Sequence, residues 1–168
     1  PCGVVTLSER FGRGEDEHGR ASPERYAEIC SHVHEHLAPF DTKHDIARRV
    51  AGGAVQMVGT SGTVTTLTGV FLELPRYDRG QVDGRKLEFS QLDGARDTLL
   101  ALDRKELAAH PCIGSQRADL VISGCAILDA IRDLWPVGRL RVADRGLREG
   151  ILHGLMRSAD REAPATKG

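Results

Sequence analysis

The residues of this chain best placed to do chemistry are Gly59, Thr60, Ser61, Gly62 and Thr63. They follow an apolar run at 54–58 and open a helix-like segment at 64–74. The first N–H groups of a helix have no intrahelical partner, and the helix dipole favours negative charge there. A strand feeding such a turn is a place to hold an anion, with phosphate the natural candidate. The same residue types also serve as ordinary turns and N-caps, so a connector without a ligand reads equally well from the stretch alone. No Lys follows Gly62 and the spacing is not G-x-G-x-x-G, which removes the P-loop and the dinucleotide fingerprint.

Further candidates lie along the chain. The connector at 74–87 carries Arg76, Arg79, Arg85 and Lys86, which either reach a polyanion over Gly59 to Thr63 or form a solvated basic loop. Asp144-Arg145-Gly146 repeats the opening arrangement, polar residues and a glycine at the end of a strand, where open α/β sheets place ligands. Arg145, Arg148 and Glu149 either serve that site or close a local ion-pair network. His32, His34, His36 and His44 crowd one helix, but only His32 and His36 have the i, i+4 spacing of a metal pair. No nearby Glu-x-x-His or Cys completes a set, so a solvated face is expected and no metal is assigned.

The elements that must position these residues follow from composition and spacing. With 168 residues, 40% hydrophobic and 28% charged, the chain suits one well-buried domain. Its net charge of -1 gives no global pull toward nucleic acid or a membrane, so anion binding must be local. Cys2, Cys30, Cys112 and Cys125 form no C-x-x-C pair, and no apolar run is long enough to span a bilayer. With no signal peptide recognised, a reduced cytoplasmic setting is the expectation. The chain begins on Pro and at once on an apolar run, as a piece of something longer would.

Strands are predicted at 3–7, 54–58 and 140–143, the first because it is short and β-branched. Ser22-Pro23-Glu24 starts a helix expected to end near Ala38, where Pro39 stops it. Further helices are predicted at 90–102, 103–110, 117–135 and 147–156, with a short hairpin around Asp83-Gly84. The 117–135 helix is apolar along its middle and should be buried, with Gly124 marking a close contact. Strands alternating with helices give an α/β domain with a mostly parallel sheet flanked by helices. Three strands leave exposed edges, so at least one neighbouring strand is expected from outside this chain.

Three blocks in order carry a resemblance. They are Gly59-Thr60-Ser61-Gly62-Thr63-Val64-Thr65-Thr66-Leu67, then Arg117-Ala118-Asp119-Leu120-Val121-Ile122-Ser123-Gly124-Cys125-Ala126-Ile127-Leu128, then Asp144-Arg145-Gly146-Leu147-Arg148-Glu149-Gly150. Together with the opening Gly3-Val4-Val5-Thr6-Leu7-Ser8-Glu9-Arg10-Phe11, they resemble the C-terminal half of the exopolyphosphatase / guanosine pentaphosphate phosphohydrolase (Ppx/GppA) family. The resemblance implies a partial actin-like (ribonuclease H-like) ATPase domain. Residues 1–158 would be the later part of the second such domain, and 159–168 a disordered tail. It further implies removal of terminal phosphate from inorganic polyphosphate, or of the 5′ γ-phosphate from pppGpp, with Mg²⁺. The general-base Glu, the first phosphate loop and the Asp-x-Gly-Gly-Gly-Ser metal segment would belong to the missing upstream part. No catalytic residue and no Mg²⁺ ligand is therefore expected here, and the chain alone should be catalytically silent.

On this reading Gly59, Thr60, Ser61, Gly62 and Thr63 cradle phosphate, Arg117 matches a family Arg directed at bound polyanion, and Arg145 and Arg148 assist. The implied partners are polyphosphate or guanosine pentaphosphate, the missing N-terminal domain and, from the family's frequent dimers, a second copy. The competing class is a non-catalytic actin-like domain that senses (p)ppGpp or polyphosphate. A sugar or acetate kinase of the same superfamily would transfer from a nucleotide instead, and the block from Asp144 to Gly150 argues against it.

Overall fold

The computed structural model describes residues 2–12 and 15–162. Its elements in order are α1 (Val4–Phe11), α2 (Pro23–His44), α3 (Ile46–Ala51), β1 (Met57–Gly59), α4 (Gly62–Phe71) and α5 (Arg79–Val82). They continue with β2 (Lys86–Glu88), α6 (Phe89–Leu100), α7 (Arg104–Ala109), α8 (Val121–Leu134), β3 (Arg139–Val142) and α9 (Leu147–Glu162). This is an α/β fold, a small sheet flanked by helices.

The sheet is mixed rather than mostly parallel. Its order is β1-β3-β2, with β1 parallel to β3 and β2 antiparallel to β3. Met57 stands opposite Leu140 and Gly59 opposite Val142, so both parallel strands end at the same mouth. The expected hairpin at Asp83-Gly84 does not form. Gly84, at φ +81°, turns the chain out of α5, and β2 then pairs with distant β3. The outer edge of β1 is unpaired among the described residues, as three short strands require.

Two apolar clusters hold the layers together. The larger joins Leu67, Leu92, Leu99 and Leu107 of the helices to Leu87, Leu140 and Val142 of the sheet. The smaller joins Leu7, Ile29 and Val33 to Ala126 and Ala130. Helix α8 belongs to both, with Cys125 on one side and Ala126 and Ala130 on the other. That explains its apolar middle. Gly124 is where α4 crosses it, since a Cβ there would collide with Thr63 Oγ1 and lie 3.1 Å from Thr63 Cβ. The first turn predicted for this helix, Arg117 to Leu120, is a set of hydrogen-bonded turns before α8.

Two sequence expectations fail for physical reasons. Residues 4–11 are helical, because that conformation buries Leu7 completely and brings Ser8 Oγ to 3.0 Å from Ser123 Oγ. Burying one leucine side chain is worth about 1.5–3 kcal/mol, more than the roughly 1 kcal/mol span of β-propensity. Helix α2 also runs through Pro39 to His44. An interior proline costs about 3 kcal/mol, and the last turn is tied down to offset it. Trp135 Nε1 donates to Asp41 Oδ1 at 2.7 Å, and the Phe40 and Trp135 rings meet at 6.3 Å. Asp45, at φ 56°, finally ends the helix.

Helix α9 continues past residue 158 to Glu162, while 163–168 lie outside the described residues. All four cysteines are free thiols. Burial pushes the Cys30 and Cys125 thiols up to about 12, in keeping with inert packing residues. Among the described residues, no helix is long and apolar enough to cross a membrane.

Candidate functional site

At the common mouth of β1 and β3, the chain leaves β1 at Gly59 and re-enters a helix at Gly62. Ser61 is the N-cap of α4, its Oγ accepting the Val64 N–H at 3.3 Å. Gly59 is required by packing, because a Cβ there would stand 2.7 Å from Val64 Cγ1. Ser61 thus takes the Val64 N–H, and within the first turn of α4 the amides of Gly62 and Thr63 are the ones without a hydrogen-bond partner among the described residues, as at any helix N-terminus that could receive an anion.

Arg117 closes over this turn. A Cβ on Gly62 would lie 3.5 Å from Arg117 Nη1, an ordinary contact distance, so the guanidinium lies directly over this glycine. Ser61, Gly62, Thr63 and Arg117, with Val4 and Val121 as apolar walls, line a cleft of about 220 Å³. Arg117 is exposed and has no ion-pair partner among the described residues.

The second predicted group, Arg145 and Arg148, sits beside Thr60 in an adjoining cleft of about 470 Å³. Here a polar network dominates. Tyr77 donates its hydroxyl to Asp144 Oδ2 at 2.6 Å, and Arg79 bonds the Asp144 carbonyl and lies 3.3 Å from its carboxylate. Arg79 also reaches Glu149 at 3.4 Å. Asp83 accepts the Asp144 N–H at 2.9 Å and Arg145 Nε at 3.0 Å. Arg145 is thus held structurally, whereas Arg148 is exposed and unpaired among the described residues.

The electrostatics agree with that division. The Gly146 N–H, at 2.8 Å, and then Arg79 hold Glu149 below the usual carboxylate range. The Asp144 N–H and Arg145 do the same for Asp83. Burial, then the bond to Asp144, pushes the Tyr77 phenol up to about 12. Among the described residues of this cleft, both carboxylates, Asp144 and Glu149, are thus engaged. A magnesium ion takes oxygen ligands with one or two carboxylates. The hydroxyls and guanidiniums of the cradle do not fit such a site by themselves.

Of the connector cations, only Arg79 enters this region. Arg85 bonds the Gln81 carbonyl at 2.9 Å, and Arg76 stays exposed. Lys86 joins Arg139 and Arg141 around a cleft of about 360 Å³ at the opposite, N-terminal ends of β1 and β3. Ligands of open α/β sheets bind at the carboxyl ends, so that cleft is not the candidate. Sequence reasoning missed Tyr77 and Asp83, which carried no motif, and Val4, which it had placed in a strand.

A small mixed sheet flanked by helices, with a strand-to-helix turn at the mouth of β1, is the arrangement of an actin-like α/β domain. The fold is shared with the type II variant of the Aquifex aeolicus Ppx/GppA phosphatase, at TM-score 0.75 and 24% identity over 93% of this chain and 48% of that one. It is shared with a Cytophaga hutchinsonii exopolyphosphatase at TM-score 0.74 and 20% identity, over 93% and 48%. An exopolyphosphatase-like protein aligns at TM-score 0.73 and 26% identity, over 94% and 49%. The chain spans about half the length of these structures. No curated protein matches it in sequence. The model of the Ppx/GppA phosphatase family matches residues 1–159, and the chain belongs to that family.

Proposed function

We propose that this chain supplies one wall of a phosphohydrolase cleft acting on inorganic polyphosphate, on the 5′ γ-phosphate of pppGpp, or on both, in the cytoplasm. The observation that carries the reading is the unpaired Arg117 guanidinium over Gly62 at the N-terminus of α4. The family, and two structural relatives named as exopolyphosphatases or similar to them, support phosphate-anhydride chemistry as the setting.

The roles here are binding and charge neutralisation. The amides and hydroxyls of Gly59, Thr60, Ser61, Gly62 and Thr63 receive phosphate oxygens, and Arg117 clamps them, bidentately where two oxygens face its fork. Arg148 extends the positive surface, with Arg145 in a lesser part. In-line attack by water also needs a positioned base and a metal. Mg²⁺ would neutralise the transferring phosphoryl group, with ligands from outside this chain. A second domain facing the cradle is the partner this requires, and a second copy of the whole is a further one.

The engagement of Asp144 and Glu149 favours a second reading, a sensor that binds (p)ppGpp or polyphosphate without chemistry. Phosphate release from long-chain polyphosphate and from pppGpp with Mg²⁺ separates the two, measured on this chain and on a longer protein containing it. Turnover by the longer protein alone supports the hydrolase and names its substrate. Binding without turnover by either supports the sensor, and no binding by either overturns both.

A further inference from the structure

Cys2, which leads into α1, comes against the side of α2 that carries His32 and His36. One ligand atom from each, the Cys2 Sγ and a ring nitrogen of either histidine, all lie within 4.8 Å of one another. The sequence offered only the histidine pair; the fold brings in the missing sulfur. It does so because residues 4–11 are a helix packed on α2 and α8, with Cys2 and Phe11 both touching the smaller core cluster.

The two imidazoles are prepared as ligands. His36 Nδ1 lies 2.9 Å from the His32 carbonyl, which can only accept. Nδ1 therefore holds the proton and Nε2 keeps its lone pair, the backbone-fixed tautomer that metal-binding histidines use. The His32 ring packs 5.3 Å from Phe11 and 4.2 Å from His36. Arg10 Nη1 donates to His32 Nε2 at 3.3 Å. That guanidinium is exposed, and it must swing away into solvent before a metal can take Nε2.

We propose that Cys2, His32 and His36 form a binding site for a divalent cation of the zinc class, with a fourth position open to water. One thiolate and two imidazoles suit borderline transition metals and not magnesium or calcium. Metal–sulfur and metal–nitrogen bonds of about 2.3 and 2.0 Å put tetrahedral ligand atoms roughly 3.3–3.6 Å apart. Closing to that from within 4.8 Å takes at most about 1.5 Å, within reach of rotamer changes at Cys2 and exposed His36. Binding displaces the thiol proton and pins the start of α1 onto α2. Val4, just beyond Cys2, walls the cleft beside Gly62 and Arg117, so the metal would also fix that wall.

The test is titration of the reduced chain with Co²⁺, a spectroscopic stand-in for Zn²⁺. One equivalent should give a thiolate-to-cobalt charge-transfer band and tetrahedral ligand-field bands, both removed by Zn²⁺. Cys2→Ser should abolish the charge-transfer band and His36→Ala should weaken binding at least tenfold. Cys30→Ser and His44→Ala should change neither. A band that survives Cys2→Ser, or no band at all in the unaltered chain, overturns the proposal. A second measurement needs no variant: Zn²⁺ should slow alkylation of Cys2 tenfold or more, read by peptide mass, and an unchanged rate also overturns it.

Discussion

Arg117 lies over Gly62, close enough that a Cβ on that glycine would stand 3.5 Å from Nη1. Two positive features meet there, the guanidinium and the positive end of the α4 dipole. An anion lying between them would be attracted by both. No carboxylate among the described residues takes that place.

Arg117→Ala should therefore weaken binding of polyphosphate to this chain roughly tenfold, the lower end for a hydrogen bond to a charged group at an exposed site. The slope of log affinity against log salt should fall by about one. Calorimetric titration at several salt concentrations checks both. Unaltered affinity with unaltered circular dichroism would remove Arg117 from the site.

Arg145→Ala and Arg148→Ala should separate. Arg145 is bonded to Asp83, so part of its charge is already answered, while Arg148 is unpaired. The loss in polyphosphate affinity should be larger for Arg148→Ala. Arg145→Ala should also release Asp83, which holds the Asp144 N–H, and lower the melting temperature slightly. Equal losses in affinity for the two variants would contradict the assignment.

The parts of this molecule legible in the sequence were those whose cause is local. The turn Gly59 to Thr63, the apolar period of α8 and the alternation of charged and apolar residues in β3 each carry their reason in a few adjacent residues. What could not be read was decided at a distance. Residues 4–11 are helical because of where Leu7 is buried, and α2 passes Pro39 because Trp135 anchors Asp41. Strand β2 pairs with β3 rather than with a hairpin neighbour. At the candidate site, the block drew attention to Arg117, which the fold sets over Gly62, but the engagement of Arg145 depended on Asp83, 62 positions away in the chain.

Tyr26 is expected to give stability an alkaline limb. Its hydroxyl donates to Asp129 Oδ2 at 2.6 Å, and Asp129 also receives Arg96 at 2.8 Å and Arg132 at 3.1 Å. Burial first, then the Asp129 charge, push the phenol well above its ordinary value. The native state thus keeps a proton that the unfolded chain loses above about pH 10. Stability from this bond is full below that pH and declines as pH rises through it. Tyr26→Phe should cost about 1.5 kcal/mol near neutrality, since Asp129 retains both arginines. The gap from the unaltered protein should narrow above about pH 10 in urea unfolding. A gap constant with pH would refute the assignment.

Gly124→Ala sets helix propensity against packing. Alanine gains about 0.5–1 kcal/mol over glycine in a helix interior. Here, however, the new Cβ would collide with Thr63 Oγ1 and sit 3.1 Å from both Thr63 Cβ and Cγ2. Gly124 and Thr63 face each other where α8 crosses the first turn of α4, so relief requires one helix to move. Overpacking of a close-packed contact costs about 1–3 kcal/mol, so a net loss of stability is expected, measured by denaturant unfolding. Adding Thr63→Ala removes two of the colliding atoms and should recover part of the loss. Because Thr63 belongs to the proposed anion turn, Gly124→Ala should also weaken polyphosphate binding, although Gly124 does not line the cleft. If Gly124→Ala instead stabilises the chain, α4 and α8 are not as close as the geometry requires, and the link from this crossing to the cradle fails with it.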